Sequence, residues 1–111
     1  MKKRTVNVLG TKYTLVEATP KEDEKLKLGI DGYCDSSVHL CVVDTMECDD
    51  LDAKQNLPEY KKQVTRHELI HAFLHESGLS GSSWAANEEL VDWIAIQFPK
   101  LRDLFVAADC L

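Results

Sequence analysis

The sequence contains no apolar run of about eighteen residues, the length that a transmembrane helix needs, and therefore predicts no membrane association. Its basic start, residues 1–4, is not followed by the apolar segment of a secretory signal, which favours a cytoplasmic protein.

The 13 Lys and Arg are outnumbered by 19 Asp and Glu, and the net charge of −6 argues against a nucleic-acid partner. Repeats are also missing, so the chain of 111 residues predicts one globular domain over residues 1–111.

The cysteines lack close spacing. None of the four belongs to a C-x-x-C pair, the usual mark of a structural zinc knuckle. Cys34, Cys41 and Cys48 follow one another at intervals of seven residues, and Cys110 stands apart from them. Because a reducing cytoplasm keeps thiols reduced, the sequence favours free cysteines over the alternatives of disulfides or metal ligation.

The N-terminal half alternates apolar and polar residues in the manner of β-strands. Residues 5–9 and 13–16 flank a turn signal at Gly10, which predicts a hairpin. Residues 28–33 and 38–43 predict a second pair of strands.

The C-terminal half predicts two helices. The first covers residues 57–78, where Pro58 suits the first turn and Gly78 suits the position past the helix end. The second begins at Asn87 and is expected to end before Pro99. Since strands come first and helices last, the predicted fold is α+β, with a small antiparallel or mixed sheet packed on the two helices.

The first predicted helix carries the sequence His-Glu-Leu-Ile-His over residues 67–71. Side chains four residues apart lie on one helix face, so His67 and His71 can direct two imidazoles at one ion. Glu68 stands beside them, placed to take a proton from a water on that ion. This H-E-x-x-H pattern is the signature of zinc metallopeptidases and predicts Zn²⁺ as the cofactor.

A catalytic zinc site usually has three protein ligands. A third histidine in the same run would stand at position 77, which is Ser77. Downstream, residues 87–92 (NEELVD) resemble the Asn-Glu-x-x-x-Asp element of the gluzincins, the metallopeptidase group that includes thermolysin. The resemblance implies that Glu88 is the third ligand and that Asp92 holds a ligand histidine in one tautomer. Glu89 is the rival of Glu88, and it points about 100° away around the helix.

The resemblance covers about the C-terminal half of the chain. The run RHELIHAFLHESGL followed by NEELVDWIAIQFPKL is similar to small metallopeptidases encoded by phages and prophages, to the wider ImmA/IrrE-like family, and to the short gluzincins called minigluzincins. It implies a minimal peptidase core, which would act in the host cytoplasm if the protein is phage-encoded. The interval between His71 and Glu88 is shorter than in most gluzincins, so the connection between the helices must be tight.

The resemblance also implies a substrate-binding strand at the sheet edge next to the active-site helix, where an extended peptide would pair with the backbone. Residues 38–43 are the candidate for this strand. His39 and Tyr33 would then lie near the cleft, where either could stabilise an oxyanion.

The predicted active-site helix offers further cleft candidates. His75 follows His71 by four residues, but the outer histidines of this stripe, His67 and His75, stand about 12 Å apart along the axis. His75 is therefore expected at the rim of the cleft rather than on the ion. Tyr60 and Arg66 are additional candidates on the same helix.

The predicted function is zinc-dependent hydrolysis of a peptide or protein substrate. Zinc on His67, His71 and Glu88 would polarise the scissile carbonyl and acidify a bound water, and Glu68 would carry the proton to the leaving amine. Three alternatives stay open: a regulatory protein acting on a repressor or toxin-like partner, a zinc-binding interaction module without hydrolysis, and a metal-dependent nuclease. The acidic charge and the glutamate ligand disfavour the nuclease.

Overall fold

The computed structural model describes residues 1–47 and 56–111. They form a four-stranded mixed sheet and two α-helices, which confirms the predicted α+β class. The prediction for Cys48 falls outside the described residues. Within these ranges, neither helix combines the length and the apolar character that spanning a bilayer demands. The elements are β1 (Lys2–Val8), β2 (Thr11–Ala18), β3 (Gly32–Asp35), β4 (Leu40–Asp44), α1 (Leu57–Glu76) and α2 (Glu88–Ala107).

The sheet has the strand order β1-β2-β4-β3 among the described strands. β1 and β2 form the predicted antiparallel hairpin, turning at Leu9 and Gly10, which both have positive φ. β4 runs parallel to β2 and antiparallel to β3. The prediction of an edge strand over residues 38–43 was wrong, because β4 lies inside the sheet and β3 lies at its edge. Val42 and Val43 explain this: they point to opposite faces and are both almost fully buried, as an interior strand requires.

α1 packs on one face of the sheet. The core between them contains buried apolar side chains from three strands and the helix: Val8, Tyr13, Leu15, Cys41, Val43, Val64 and Ala72. The opposite face carries a smaller cluster in which Leu26 covers Val16, Ala18 and Val42. The core therefore fixes α1 across β3 and β4, with its histidine face beside the β3 edge.

The helix boundaries follow the sequence signals at three of four ends. Pro58 occupies the first turn of α1, and Gly78 adopts φ +77° just beyond the end of that helix, where a residue without Cβ is favoured. Asn87 caps α2, its side chain accepting a hydrogen bond from the Leu90 backbone N–H at 2.9 Å.

The prediction that the second helix ends before Pro99 was wrong, because α2 continues through it to Ala107. Pro99 has no N–H with which to bond the Ala95 carbonyl one turn earlier. Arg66 of α1 supplies the missing donor, with its Nε 2.6 Å from the Ala95 oxygen. A side chain from the neighbouring helix thus allows a proline in the interior of α2.

Candidate metal centre

Two helices bring together three side chains of the types that bind metal ions in proteins. His67 and His71 lie one turn apart on α1, and Glu88 is the first residue of α2. His67 Nε2 is 2.9 Å from Glu88 Oε2, His71 Nε2 is 3.2 Å from the same oxygen, and the two Nε2 atoms are 3.2 Å apart. The three donor atoms form a nearly equilateral triangle that faces an open cleft.

The size of this triangle fits a zinc ion. Zinc–nitrogen and zinc–oxygen bonds of about 2.0–2.1 Å at tetrahedral angles place neighbouring donor atoms about 3.3 Å apart. At these distances either a ring N–H that donates to the carboxylate or a shared cation stabilises the arrangement. Imidazole and carboxylate ligands also suit other divalent transition metals, so the donor set is compatible with zinc without being specific to it.

The beginning of α2 separates the two neighbouring glutamates. Glu88 points toward the histidines of α1, whereas Glu89 lines a surface depression with Trp84 and Trp93. The angular offset between successive helix residues therefore brings Glu88 to the donor set and directs Glu89 away from it.

Asp92 lies one turn beyond Glu88 on α2. Its Oδ1 is 3.3 Å from His67 Nδ1, the ring nitrogen opposite the one that faces Glu88. A carboxylate in this position favours a proton on Nδ1 and leaves Nε2 free to bind a cation. The predicted contact between Asp92 and a histidine of the H-E-x-x-H sequence is present, and that histidine is His67.

Glu68 is a buried carboxyl, only 7% exposed, next to the two histidines. His67, Glu68 and His71 each offer a donor atom within 4.8 Å of the others. Burial raises the pKa of Glu68 to about 7, His67 opposes the shift, and the negative charge of Glu88 adds to it. Glu88 contacts both imidazoles directly, whereas Glu68 packs against the sheet beside them.

The sheet edge forms one wall of the cleft. A cleft of about 440 Å³ lies over the donors and includes Gly32 and Cys34 of β3. A smaller cavity of about 180 Å³ continues along β3 to Asp31 and Tyr60, and the two share Gly32, His67 and Glu68. A larger cavity of about 700 Å³, between β1 and the start of α1, contains none of the donors. The site is therefore identified by its donor atoms and not by the volume of its cavity.

The remaining predicted cleft residues have mixed positions. His75 lines the cleft, with its Nδ1 3.4 Å from Ser80 Oγ, and so lies at the expected rim. Tyr33 contributes to the wall, but its hydroxyl donates to Asp23 and its ring packs in the cluster on the far face of the sheet. His39 packs against the Tyr13 ring, 5.2 Å between centroids, instead of facing the donors. Neither residue presents its side chain to the donor triangle.

The two additional candidates on α1 have structural partners. The Tyr60 hydroxyl donates to the Asp31 carboxylate, which joins α1 to the residue before β3. Arg66 is bonded to the Ala95 carbonyl and joins α1 to α2. Both side chains hold the walls of the site in place rather than reaching the donor atoms.

Sequence reasoning missed Gly32, Cys34 and Ser80 as cleft residues. A Cβ atom on Gly32 would lie 3.2 Å from Glu68 Oε2, so a glycine is needed for the close approach of β3 to α1. A glycine inside the predicted strand of residues 28–33 was the available signal. No sequence pattern marked Cys34 or Ser80 as a cleft residue. Cys34 reaches the cleft because β3 packs against α1, and Ser80 reaches it because the turn between the helices folds back on α1.

Comparison with protein-family models, curated proteins and solved structures finds no match to this chain.

Proposed function

We propose that this protein is a zinc-dependent peptidase that uses Glu68 as its general base. The observation that carries the proposal is the triangle of donor atoms from His67, His71 and Glu88, with sides of 2.9–3.2 Å. A buried carboxyl beside that triangle is the second requirement of water-mediated hydrolysis, and Glu68 meets it.

Three side chains would hold the ion and leave one side open toward the cleft. His67 and His71 would bind through Nε2 and Glu88 through its carboxylate, with Asp92 fixing the tautomer of His67. When bound, zinc would supply a Lewis acid that polarises the substrate carbonyl and lowers the pKa of a water to about 7.

Glu68 would move the proton during hydrolysis. Its carboxylate would accept a proton from the attacking water and then donate that proton to the amine leaving group. The contact with Gly32 confines the carboxyl to the donor side of α1, so the proton acceptor is held in position before substrate binds.

The β3 edge would align the substrate. β3 is the outer described strand on the side of the donors, and the two connected cavities follow it. An extended peptide could pair with its backbone and bring one carbonyl over the donor triangle. This assigns to β3 the role that the sequence had assigned to residues 38–43.

Zinc content per chain tests the metal site. After zinc loading and removal of excess metal, we expect one ion per wild-type chain and a strong loss in Glu88→Gln. Glu89→Gln is the matched control, because Glu89 is the next residue of the same helix turn and faces away. Equal zinc in both variants, or none in the wild type, contradicts the proposed ligand set.

Hydrolysis of an unbiased peptide library, read by mass spectrometry, tests the catalytic role. We expect cleavage products with the zinc-loaded wild type and none with Glu68→Gln, while both proteins contain the same amount of zinc. Cleavage by Glu68→Gln at the wild-type rate would exclude Glu68 as the base. Stoichiometric zinc with no cleavage by the wild type would instead favour the alternative of a non-catalytic zinc-binding regulatory protein.

A further inference from the structure

Two cysteines lie opposite one another on β3 and β4, next to the cleft of the candidate metal centre. Cys34 of β3 and Cys41 of β4 are register partners in the antiparallel pair. The Asp44 backbone N–H donates to the Asp31 carbonyl at 2.8 Å, which makes 31 and 44 a hydrogen-bonded pair. Because hydrogen-bonded and non-hydrogen-bonded pairs alternate, Cys34 and Cys41 form a non-hydrogen-bonded pair.

That pairing suits a disulfide. Opposed residues of a non-hydrogen-bonded pair have Cα atoms about 4.5 Å apart, within the range of roughly 4.4–6.8 Å found for disulfides. Both side chains point to the α1 face of the sheet, where they belong to one apolar cluster. Both cysteines are free thiols in the structure.

The two thiols differ in access. Cys34 is half-buried and belongs to the wall of the cleft of about 440 Å³. Cys41 is fully buried, and its thiol donates to the Glu68 carbonyl at 3.6 Å. Cys34 is therefore placed to meet an oxidant first, and Cys41 is placed to resolve the product.

We propose that Cys34 and Cys41 form a reversible disulfide when a peroxide enters the cleft that Cys34 lines. The Cys34 sulfur attacks one oxygen of hydrogen peroxide, the O–O bond breaks, and a sulfenic acid and one water result. The Cys41 thiol then attacks the Cys34 sulfur, forms the S–S bond and releases a second water. Both sulfurs are oxidised, both peroxide oxygens are reduced to water, and a dithiol restores the two thiols.

This oxidation site does not depend on the proposed hydrolytic activity. It does connect the redox state of the sheet to the site, because Cys41 loses the S–H group that it donates to the Glu68 backbone. Cys110 provides an internal comparison, since it is an exposed thiol outside the sheet.

The test is peroxide treatment followed by mapping of the cysteines. Purified protein is exposed to hydrogen peroxide, denatured, alkylated with iodoacetamide and cleaved before aspartate residues. Cleavage before Asp35 and Asp44 places Cys34, Cys41 and Cys48 on three different fragments. We expect a product in which the Cys34 and Cys41 fragments are joined with the loss of two hydrogens, and we expect dithiothreitol to separate them.

Two variants make the result decisive. Cys110→Ser should form the same linked fragment as the wild type. In Cys34→Ser, which changes a half-buried position and is checked for folding by circular dichroism, Cys41 should remain fully alkylatable at the same peroxide dose. The proposal is overturned if Cys34 pairs with Cys48 or Cys110, if it accumulates as sulfinic acid without a linked product, or if Cys41 oxidises equally fast without Cys34.

Discussion

Gly32 and Glu68 are in contact across the boundary between β3 and α1, so closely that a methyl group on Gly32 would lie 3.2 Å from the Oε2 and Cγ atoms of Glu68. The same methyl group would lie 2.8 Å from the Val42 carbonyl oxygen, a distance at which an atom must move. The carboxyl proposed as the base therefore owes its position to the absence of a side chain on the neighbouring strand.

Gly32→Ala should displace Glu68 and strain the β3–β4 pair. We expect zinc binding to persist, because the three donors belong to the helices, and we expect hydrolysis to fall sharply. The free energy of unfolding should decrease by about 1–3 kcal/mol, the usual cost of overpacking. Urea denaturation and zinc content measure the two effects. Gly81→Ala is the control, since nothing lies within 4 Å of its added methyl group, and equal behaviour of the two variants would refute the contact.

Asp92→Asn should weaken zinc binding by about 10- to 100-fold, because the carboxylate that orients His67 is lost while the three ligands remain. Competition with a chromophoric chelator gives the affinity. Asp103→Asn is the matched control on the same helix, where Asp103 is exposed and pairs with Arg102. An unchanged affinity in Asp92→Asn would show that the tautomer of His67 does not depend on Asp92.

Glu68 should make the stability of the metal-free protein fall as the pH rises. Its pKa is about 7 in the folded state against 4.5 as the ordinary value, so the folded state binds more protons between these pH values. The free energy of unfolding therefore decreases over this range, by an upper bound of about 3 kcal/mol. In the presence of a chelator, Glu68→Gln should be more stable than the wild type at pH 8, and the difference should vanish near pH 4.

Glu76, on the same helix, is a control for which the change of stability with pH should have the opposite sign. Hydrogen bonds from Thr11 and Tyr13 hold the pKa of Glu76 below its usual value, so its charged form stabilises the folded state at neutral pH. Glu76→Gln should therefore be less stable than the wild type at pH 8, and its deficit should shrink in acid. A Glu68→Gln variant that behaves in the same way would contradict the environment described for Glu68.

Arg66 and Pro99 should show strong coupling in a double-mutant cycle. Arg66→Met removes the donor to the Ala95 carbonyl and should cost about 1–3 kcal/mol, the penalty for a buried acceptor without a partner. In a Pro99→Ala background the new N–H of residue 99 can bond the same oxygen, so the cost should be much smaller. Urea denaturation of the four proteins gives the coupling energy. If the effects of the two substitutions add within about 0.5 kcal/mol, Arg66 does not replace the N–H that Pro99 lacks.

The parts of the fold that local chemistry determines could be predicted from the sequence. Pro58, Gly78 and Asn87 act on the backbone next to them, so the ends of the helices that they mark were foreseeable. The approach of His67 and His71 follows from a spacing of four residues on a helix, which needs no knowledge of the rest of the chain.

The parts that depend on distant contacts could not be predicted. The interior position of β4 results from parallel pairing with β2, a partner 26 residues earlier by the register of Leu15 with Cys41. The continuation of α2 through Pro99 depends on a side chain from α1. The place of Gly32 beside Glu68 depends on how β3 docks on the helix, and strand propensity contains no information about that docking.

The three proposed metal ligands and the proposed base need different parts of the chain for their positions. All three donor residues lie within residues 67–88, on two consecutive helices, whereas the burial of Glu68 needs Gly32 and Cys41 from the sheet. The proposed ligand set therefore needs only the two helices, whereas the proposed base needs the sheet as well. Zinc content alone would therefore not report whether the sheet has packed around Glu68, and the two properties need separate measurements.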